Sequence, residues 1–463
     1  MKKIKSYIFV YVSLAACCAL SCNKQKFLDE KPSSDITVPR TLPDCQALLD
    51  NEVVLSETPV LGELSSDNYY LIPTFWNGLK TVEHNGYIWK SDIFEGEGNI
   101  GDWNLPYKQV FYANVVLDAL EHNISKTATN EQQWNKIKGA ALFIRAYAFY
   151  NLAQVFAPVY DNTTANKDLG IPLRLTPNVN EVSARATNQE TYQQIIVDLK
   201  ESAPLLPEQV EVNNRNRPSR PAAFAMLARV YLSMRVYDKA EKYSDSCLKL
   251  YDKLIDYNSL DKVTSIPFSP KNDETLYQSK ILTTNGVLKG LTIRNSIIDS
   301  TLRQSYEEHD LRDTIYFTKN SNGLPILKGS YNGSIFLFSG LATDEVYLTR
   351  AECLARAGNV AAAIKDLNKL LITRWETGTF TDFTVTSAEA AKQLILTERR
   401  KELAFRGLRW TDIRRLNKEG ANITLARKIG GQDYDLPAND LRFTMLIPPD
   451  VMALNDHLQQ NPR

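Results

Sequence analysis

The sequence is poor in the residues on which metal sites and many catalytic centres are built. Its four histidines, His84, His122, His309 and His457, are scattered, none stands at ligand spacing from another, and no His-Glu-x-x-His occurs. No Cys-x-x-Cys pair exists among six cysteines. Three of the six fall within the first 22 residues, leaving Cys45, Cys247 and Cys353. Three distant thiols make no disulfide framework. Cys247 and Cys353 lie on the apolar faces of predicted helices, which marks them as core residues. Charge of one sign is also missing: 54 Lys and Arg balance 54 Asp and Glu. A nucleic-acid footprint needs a clustered basic face, so that class is set aside. No Ser/His/Asp arrangement stands out. No cofactor is expected.

A membrane-spanning run is absent too. The apolar stretch Tyr7–Leu20 is shorter than the ~20 residues a bilayer requires. It follows Lys2, Lys3 and Lys5 and ends in Ala19-Leu20-Ser21-Cys22. A basic start, a short apolar core and small residues before a cysteine read as a signal peptide over 1–21 with Cys22 as the lipidated residue. Leu14-Ala15-Ala16-Cys17 is the alternative site; Cys22 leaves the longer apolar core. Removing three lysines from a formal zero leaves the mature chain at −3. The mature chain is read as one compact domain, 22–463, with an N-terminal part over about 22–225 and a C-terminal part over about 270–463.

What is present in the middle of the chain is a helical repeat. Ala225–Leu250 aligns with Val346–Leu371. Ala228 and Ala240 correspond to Ala351 and Ala363, and Tyr231 corresponds to Leu354. Met234-Arg235-Val236 and Ala357-Gly358-Asn359 are the matching turns. Small residues let two helices approach and bulky ones fill the gap, the logic of tetratricopeptide-type units that bury their faces by stacking. Two such units are too few to stand alone. Tyr107–His122 with Glu131–Phe156, and Glu190–Leu205, supply further helices, and Ser387–Leu416 reads as one long helix. The expected fold is mostly α, with about four helix pairs and a loop-rich, partly β insert region. The inserts are Glu57–Asp102 and Asp256–Ser339. Short β-like pieces are expected in the second at Thr314–Thr318 and Ile335–Phe338.

Five segments, in order, resemble the SusD/RagB family. CNKQKFLDEKP (Cys22–Pro32) is similar to its start. GAALFIRAYAFYNLAQVFAPV (Gly139–Val159) is similar to its first long helix. SYEEHDLRDTIYF (Ser305–Phe317) resembles its acidic-Leu-Arg segment. ERRKELAFRGLRWTDIRRLN (Glu398–Asn417) is the most specific match, and LIPPDVMALNDHLQQNPR (Leu446–Arg463) resembles its terminus. The resemblance implies a SusD-like α-α superhelix. It also implies an outer-membrane lipoprotein, facing the cell exterior, that captures glycan and delivers it to a SusC-like TonB-dependent transporter without catalysing a reaction. A peptide-binding RagB-like importer subunit and a scaffold with no ligand of its own are the alternatives. One departure concerns export: Asn23-Lys24-Gln25-Lys26 stands where exported members carry acids.

The remaining motifs are weighed against plainer readings. Gly96-x-Gly98-x-x-Gly101 fits a dinucleotide fingerprint only if a helix opens at the glycines, and the helix is expected from Tyr107. Glu95 and Glu97 could pose as a glycosidase pair, with nothing else in support. The charges from Glu398 to Arg415 read as a paired network locking the last helix, with Glu398/Glu402 and Glu402/Arg406 at i,i+4 spacing.

Recognition is placed in the aromatic insert. Trp76, Trp89 and Trp103, three of six tryptophans, fall within 28 residues, with Tyr69 and Tyr70 beside them. Flat rings suit the apolar faces of sugars, and side chains such as Asn99 and Asp102 suit their hydroxyls. Those seven are the candidate ligand-binding residues. Tyr316 and Tyr331 of the second insert are weaker candidates, and Trp375 is a packing residue. The resemblance places the family's ligand site before the helix that starts at Trp103 and Tyr107, and in the later insert.

Overall fold

The computed structural model describes residues 38–463, apart from position 289 and the side chains of positions 290–292. The expected signal peptide, Cys17, Cys22 and the Cys22–Pro32 segment lie outside the described residues. Pro39–Arg463 forms one compact unit.

Among the described residues, ten helices have eight residues or more. They are α1 (Leu42–Leu49), α2 (Gly101–His122), α3 (Glu131–Phe156), α4 (Asn188–Leu205), α5 (Arg220–Ser233), α6 (Tyr237–Leu250), α7 (Thr343–Arg356), α8 (Val360–Leu371), α9 (Ala388–Glu402) and α10 (Arg409–Asn417). Each packs mainly on its chain neighbour from α2 through α8, and α9 returns onto α7. This is the stacked helix-pair architecture the repeat predicts. α3 runs buried almost without a break from Gly139 to Phe156, so apolar residues occupy every face of it. Its one charge there, Arg145, is held by Asp198 of α4 at 2.8 and 2.7 Å.

The two repeats correspond at atomic detail. Ala228, Ala240, Ala351 and Ala363 are all buried at the helix contacts. In each turn one residue takes a left-handed backbone, Arg235 at φ 62° and Gly358 at φ 82°. In each, the next N–H closes back onto the helix: Val236 N to Tyr231 O and Asn359 N to Leu354 O, both 2.9 Å. That is the helix-terminating bond pattern expected after a left-handed residue. Cys45, Cys247 and Cys353 are free and buried.

Capping follows sequence closely. Thr187 and Glu190 close a reciprocal box at the start of α4. At α9 the Ser387 hydroxyl accepts from Ala390 N at 3.1 Å, but the reciprocal bond is not formed. The acid there, Glu389, stands one position too early and turns to Lys392 and Gln393 instead.

Three expectations need correction. Ser387–Leu416 is two helices, because Phe405 (φ 59°) and Gly407 (φ 72°) adopt the left-handed backbone and end α9. Thr314–Thr318 is mostly helical: Asp310 caps a short helix, Leu311–Tyr316, and extended structure starts only at Phe317. Ile335–Phe338 forms no strand, only a bridge from Phe338 to Lys280. The inserts do contribute a four-stranded sheet. Its strands are β1 (Tyr69–Leu71), β2 (Ser296–Ile298), β3 (Phe317–Lys319) and β4 (Pro325–Leu327), in the antiparallel order β1-β2-β4-β3.

A cleft over the insert sheet as candidate functional site

Pairing in the sheet sets one row of side chains on one face. Tyr70 stands opposite Ile297, Ile297 opposite Ile326, and Ile326 opposite Thr318. Directly paired residues in antiparallel strands share a face. Tyr69 and Leu71, on the other face, are buried. Over the Tyr70 face opens a cleft of about 630 Å³. Its floor is aliphatic, with Ile297 and Ile326, and Ile72, Ile266 and Ile335 stand half-exposed around it. Its rim is polar: Thr318, Lys319, Asn320, Asn322, Arg294 and Asn295.

Each wall of the cleft has a local cause. The β3–β4 connection turns on Asn320, whose Oδ1 accepts from Asn322 N and Leu324 N, both at 3.0 Å, with Gly323 at φ 76°. Gly329, just past β4, lets the 265–266 loop seat. A Cβ there would stand 2.8 Å from Ile266 Cγ1, and Gly329 N donates to Ser265 O at 2.6 Å. β1 is positioned from below by Glu63, which accepts from Asn68 at 2.8 Å, while Asn68 O accepts from Asp299 N at the end of β2.

β3 is fixed from the other side by buried charges. Arg312, on the helix that runs into β3, is held by Asp310 at 2.7 and 2.9 Å, Glu398 at 2.6 Å and Glu402 at 3.1 Å. Arg374 joins Glu402 at 2.7 Å to Glu274 at 2.8 Å. Arg406 reaches Asp344 at 2.9 Å rather than Glu402, because α9 has ended between them. Arg415 pairs with Glu352 and Asp412. The dense charge pattern of Glu398–Arg415 is thus a lock between the last helices, α7 and the second insert. Glu274, Asp344 and Glu402 have oxygens within 4.8 Å of one another, a spacing that could hold a cation. Arg374, Arg406 and the Tyr331 hydroxyl already occupy those oxygens. Burial, and then Asp344 and Glu402, push Glu274 upward against the pull of Arg374.

The seven candidate residues separate. Tyr70 is 40% exposed and lies on the cleft face. Asn99 is exposed at φ 56°, away from the cleft, with its N–H donating to Asp450 at 2.7 Å. The other five are buried and make packing or backbone contacts within the chain. Trp76 stacks on His84 at 3.9 Å and donates to His84 O. Trp89 donates to Ser65 O at 2.9 Å beneath the Arg427 guanidinium. Trp103 meets Phe156 edge-on at 5.0 Å. Tyr69 donates to Leu64 O at 2.7 Å. Asp102 accepts from Val60 N and Leu61 N at 2.6 and 2.8 Å, and burial pushes it up to about 6. Large rings with a polar handle are natural anchors for irregular segments. Tyr316 and Tyr331 are buried as well.

α2 opens at Gly101, so the glycines do precede a helix directly. The place an anion would take is filled by the chain's own Asp450, whose Cγ lies 2.8 Å from where a Gly98 Cβ would stand. The aliphatic cleft residues were missed in the sequence. Their signal was Asn322-Gly323 between Phe317–Lys319 and Pro325–Leu327, a hairpin pattern.

Residues 26–232 match the family profile described as starch-binding and associating with the outer membrane, and residues 343–463 match the SusD family profile. No curated protein matches the chain. Among solved structures, a SusD superfamily protein from Bacteroides thetaiotaomicron superposes with a TM-score of 0.73 at 23% identity, covering 91% of this chain and all of that one. A SusD superfamily protein from Bacteroides fragilis gives 0.73 at 20% identity, over 91% of this chain and all of that one. A putative sugar-binding protein from Bacteroides vulgatus gives 0.71 at 20% identity, over 92% and 99% of the two chains. With residues 26–232 and 343–463 matched by its profiles, the chain belongs to the SusD/RagB family.

Proposed function

We propose that the chain captures an oligosaccharide in the cleft over the insert sheet and delivers it to a SusC-like TonB-dependent outer-membrane transporter, making and breaking no bonds. Lipidation at Cys22 would hold it at the outer membrane, facing the cell exterior. The observation that carries this reading is the cleft itself: an open volume of about 630 Å³ with an aliphatic floor and a rim of amides, a hydroxyl and the cations Arg294 and Lys319. Sugar rings present apolar C–H faces and polar edges, which suits such a lining. The starch-binding description of the N-terminal profile and the sugar-binding relative support it. Tyr70, exposed on the same face of the sheet though not among the lining residues, is the candidate aromatic that supports it.

One observation favours a peptide instead. Among the described residues that line the cleft, none is aromatic, and β3 is an edge strand of the sheet. An edge strand offers main-chain hydrogen bonds to an extended peptide.

Calorimetric titration of the mature chain with polysaccharides and with a peptide pool separates the readings. Ile72→Asp and Ile335→Asp alter exposed side chains, so the fold should persist. Each should weaken binding by about tenfold, through a lost apolar contact and an unpaired charge. Binding unaffected by both substitutions would remove the cleft from the function. Silence on both panels would leave only a scaffold for the transporter.

A further inference from the structure

The cleft over the insert sheet carries charge of one sign. Among the described residues that line it, Arg294, Lys319 and Lys328 are cationic and none is acidic. The chain as a whole is balanced, 54 basic against 54 acidic residues, so the asymmetry belongs to the cleft. The strands account for where the cations stand. Lys328 lies two residues beyond Ile326, and its N–H extends the β3–β4 pairing by donating to Tyr316 O at 2.8 Å. Alternation therefore carries Lys328 to the Ile326 face, on the floor side of the cleft. Arg294 is exposed, on the 3-10 turn that leads into β2. Lys319, out of phase with Thr318, adds charge at the rim.

The protein does not neutralise these charges itself. Among the described residues no carboxylate pairs with any of the three: Glu376 is held by Lys262 and His309, and Asp313 by Arg303. The Lys328 ammonium donates to two main-chain carbonyls instead, Lys262 O at 2.5 Å and Thr314 O at 2.7 Å. An ammonium has three N–H groups, so one is left over. Burial pushes the Lys328 ammonium down, against the pull of Asp261, which lies beyond ion-pair distance. A guanidinium keeps its charge at ordinary pH, and Arg294 has no counter-charge in the chain. A concave surface lined by one sign of charge draws the opposite sign into it. The polar rim adds donors. The Asn320 oxygen is spent on its turn, which leaves the amide N–H groups free for a carboxylate, a sulfate or a hydroxyl.

We propose, resting on the reading of this cleft as the capture site, that its ligand is an acidic saccharide: a ring lies over Ile297 and Ile326, and its carboxylate or sulfate meets Arg294 and Lys328. The test is calorimetric titration of the mature chain with oligosaccharides of polygalacturonate, which carry carboxylates alone, and of carrageenan, which carry sulfates alone. Each is run beside its neutral form, carboxyl-reduced or desulfated, so that only the charge differs. At least one acidic form should bind about tenfold or more tighter than its neutral form, and added salt should weaken the acidic form alone. Which of the two responds assigns the anion. Arg294→Gln alters an exposed, unpaired side chain, so the fold should persist. It should cost the acidic ligand about tenfold and the neutral form nothing, and Arg294→Lys should recover most of the loss. Adding Lys328→Gln should cost about tenfold more. Neutral forms that bind as tightly as the acidic ones, and lose affinity in Ile72→Asp, would keep the cleft as the capture site and overturn its preference for charge. An acidic affinity unmoved by Arg294→Gln would also overturn it. Tetraglutamate binding tighter than every saccharide would replace the saccharide by an acidic peptide. No binding of either acidic form would sink this proposal and, with the neutral forms silent too, the capture reading beneath it.

Discussion

At the scale of single residues, burial decides more than residue type. Asp102 and Trp89 have the composition of sugar-binding residues, and both are enclosed. For Asp102 the enclosure has a measurable consequence. Burial, set against two backbone N–H donors, pushes its carboxyl from 3.8 up to about 6. Between those values the folded chain holds a proton that the unfolded chain has released. Its contribution is therefore fully present below pH 3.8 and is lost as pH rises through about 6. A shift of this size corresponds to about 3 kcal/mol. Both N–H groups donate to Oδ1, so Asp102→Asn keeps both bonds and abolishes the titration. Urea unfolding across this range should show the wild type losing stability with rising pH relative to the variant. Parallel curves would assign the slope to another buried acid. The aromatic run was legible as composition, but its direction was not. Whether a ring faces solvent depends on partners such as Ser65, Phe156 and Arg427, far from it in the chain.

At the scale of elements, local pattern was the better guide. The Ala228/Ala351 alignment placed two helix pairs, and Glu131–Phe156 forms with the bounds read from the sequence. The break between α9 and α10 was not legible, because it turns on a phenylalanine in a left-handed backbone, which no propensity favours. Phe405 is held there by burial, and the Gly407 N–H by Glu63 at 3.0 Å. The charges around the break are a lock in which each member is expensive to leave unmatched. Arg374→Met strands Glu274 in the interior and leaves Glu402 with Arg312 alone, and should cost about 3–5 kcal/mol. Adding Glu274→Gln and Glu402→Gln should restore part of that loss, since neutral amides need no counter-charge. Denaturant midpoints of the single and triple variants measure the difference. A triple variant weaker than the single would mean that hydrogen-bond geometry, not charge balance, holds the insert.

At the scale of the whole molecule, the family was legible because the segments that carry the resemblance, Gly139–Val159 and Glu398–Asn417, are those that build the stack and the lock. The cleft was not, because its floor joins β1 to strands more than 200 residues further on, and no local pattern encodes that pairing. Attachment is a third matter. Among the described residues no helix is long and apolar enough to cross a membrane. The proposed anchor is a lipid on Cys22, and stable attachment by lipid takes at least two acyl chains or a second signal. A diacylglyceryl thioether on an acylated N-terminus meets that requirement unaided. Cys22→Ser should then abolish incorporation of a palmitate analogue and move the chain from the membrane fraction to the soluble one. Cys17→Ser should leave both unchanged. Protease added to intact cells would digest the wild-type chain if it faces outward, and spare it if the lysines after Cys22 keep it on the inner leaflet. Labelling that survives Cys22→Ser and disappears in Cys17→Ser would shift the mature start by five residues and leave the cleft untouched.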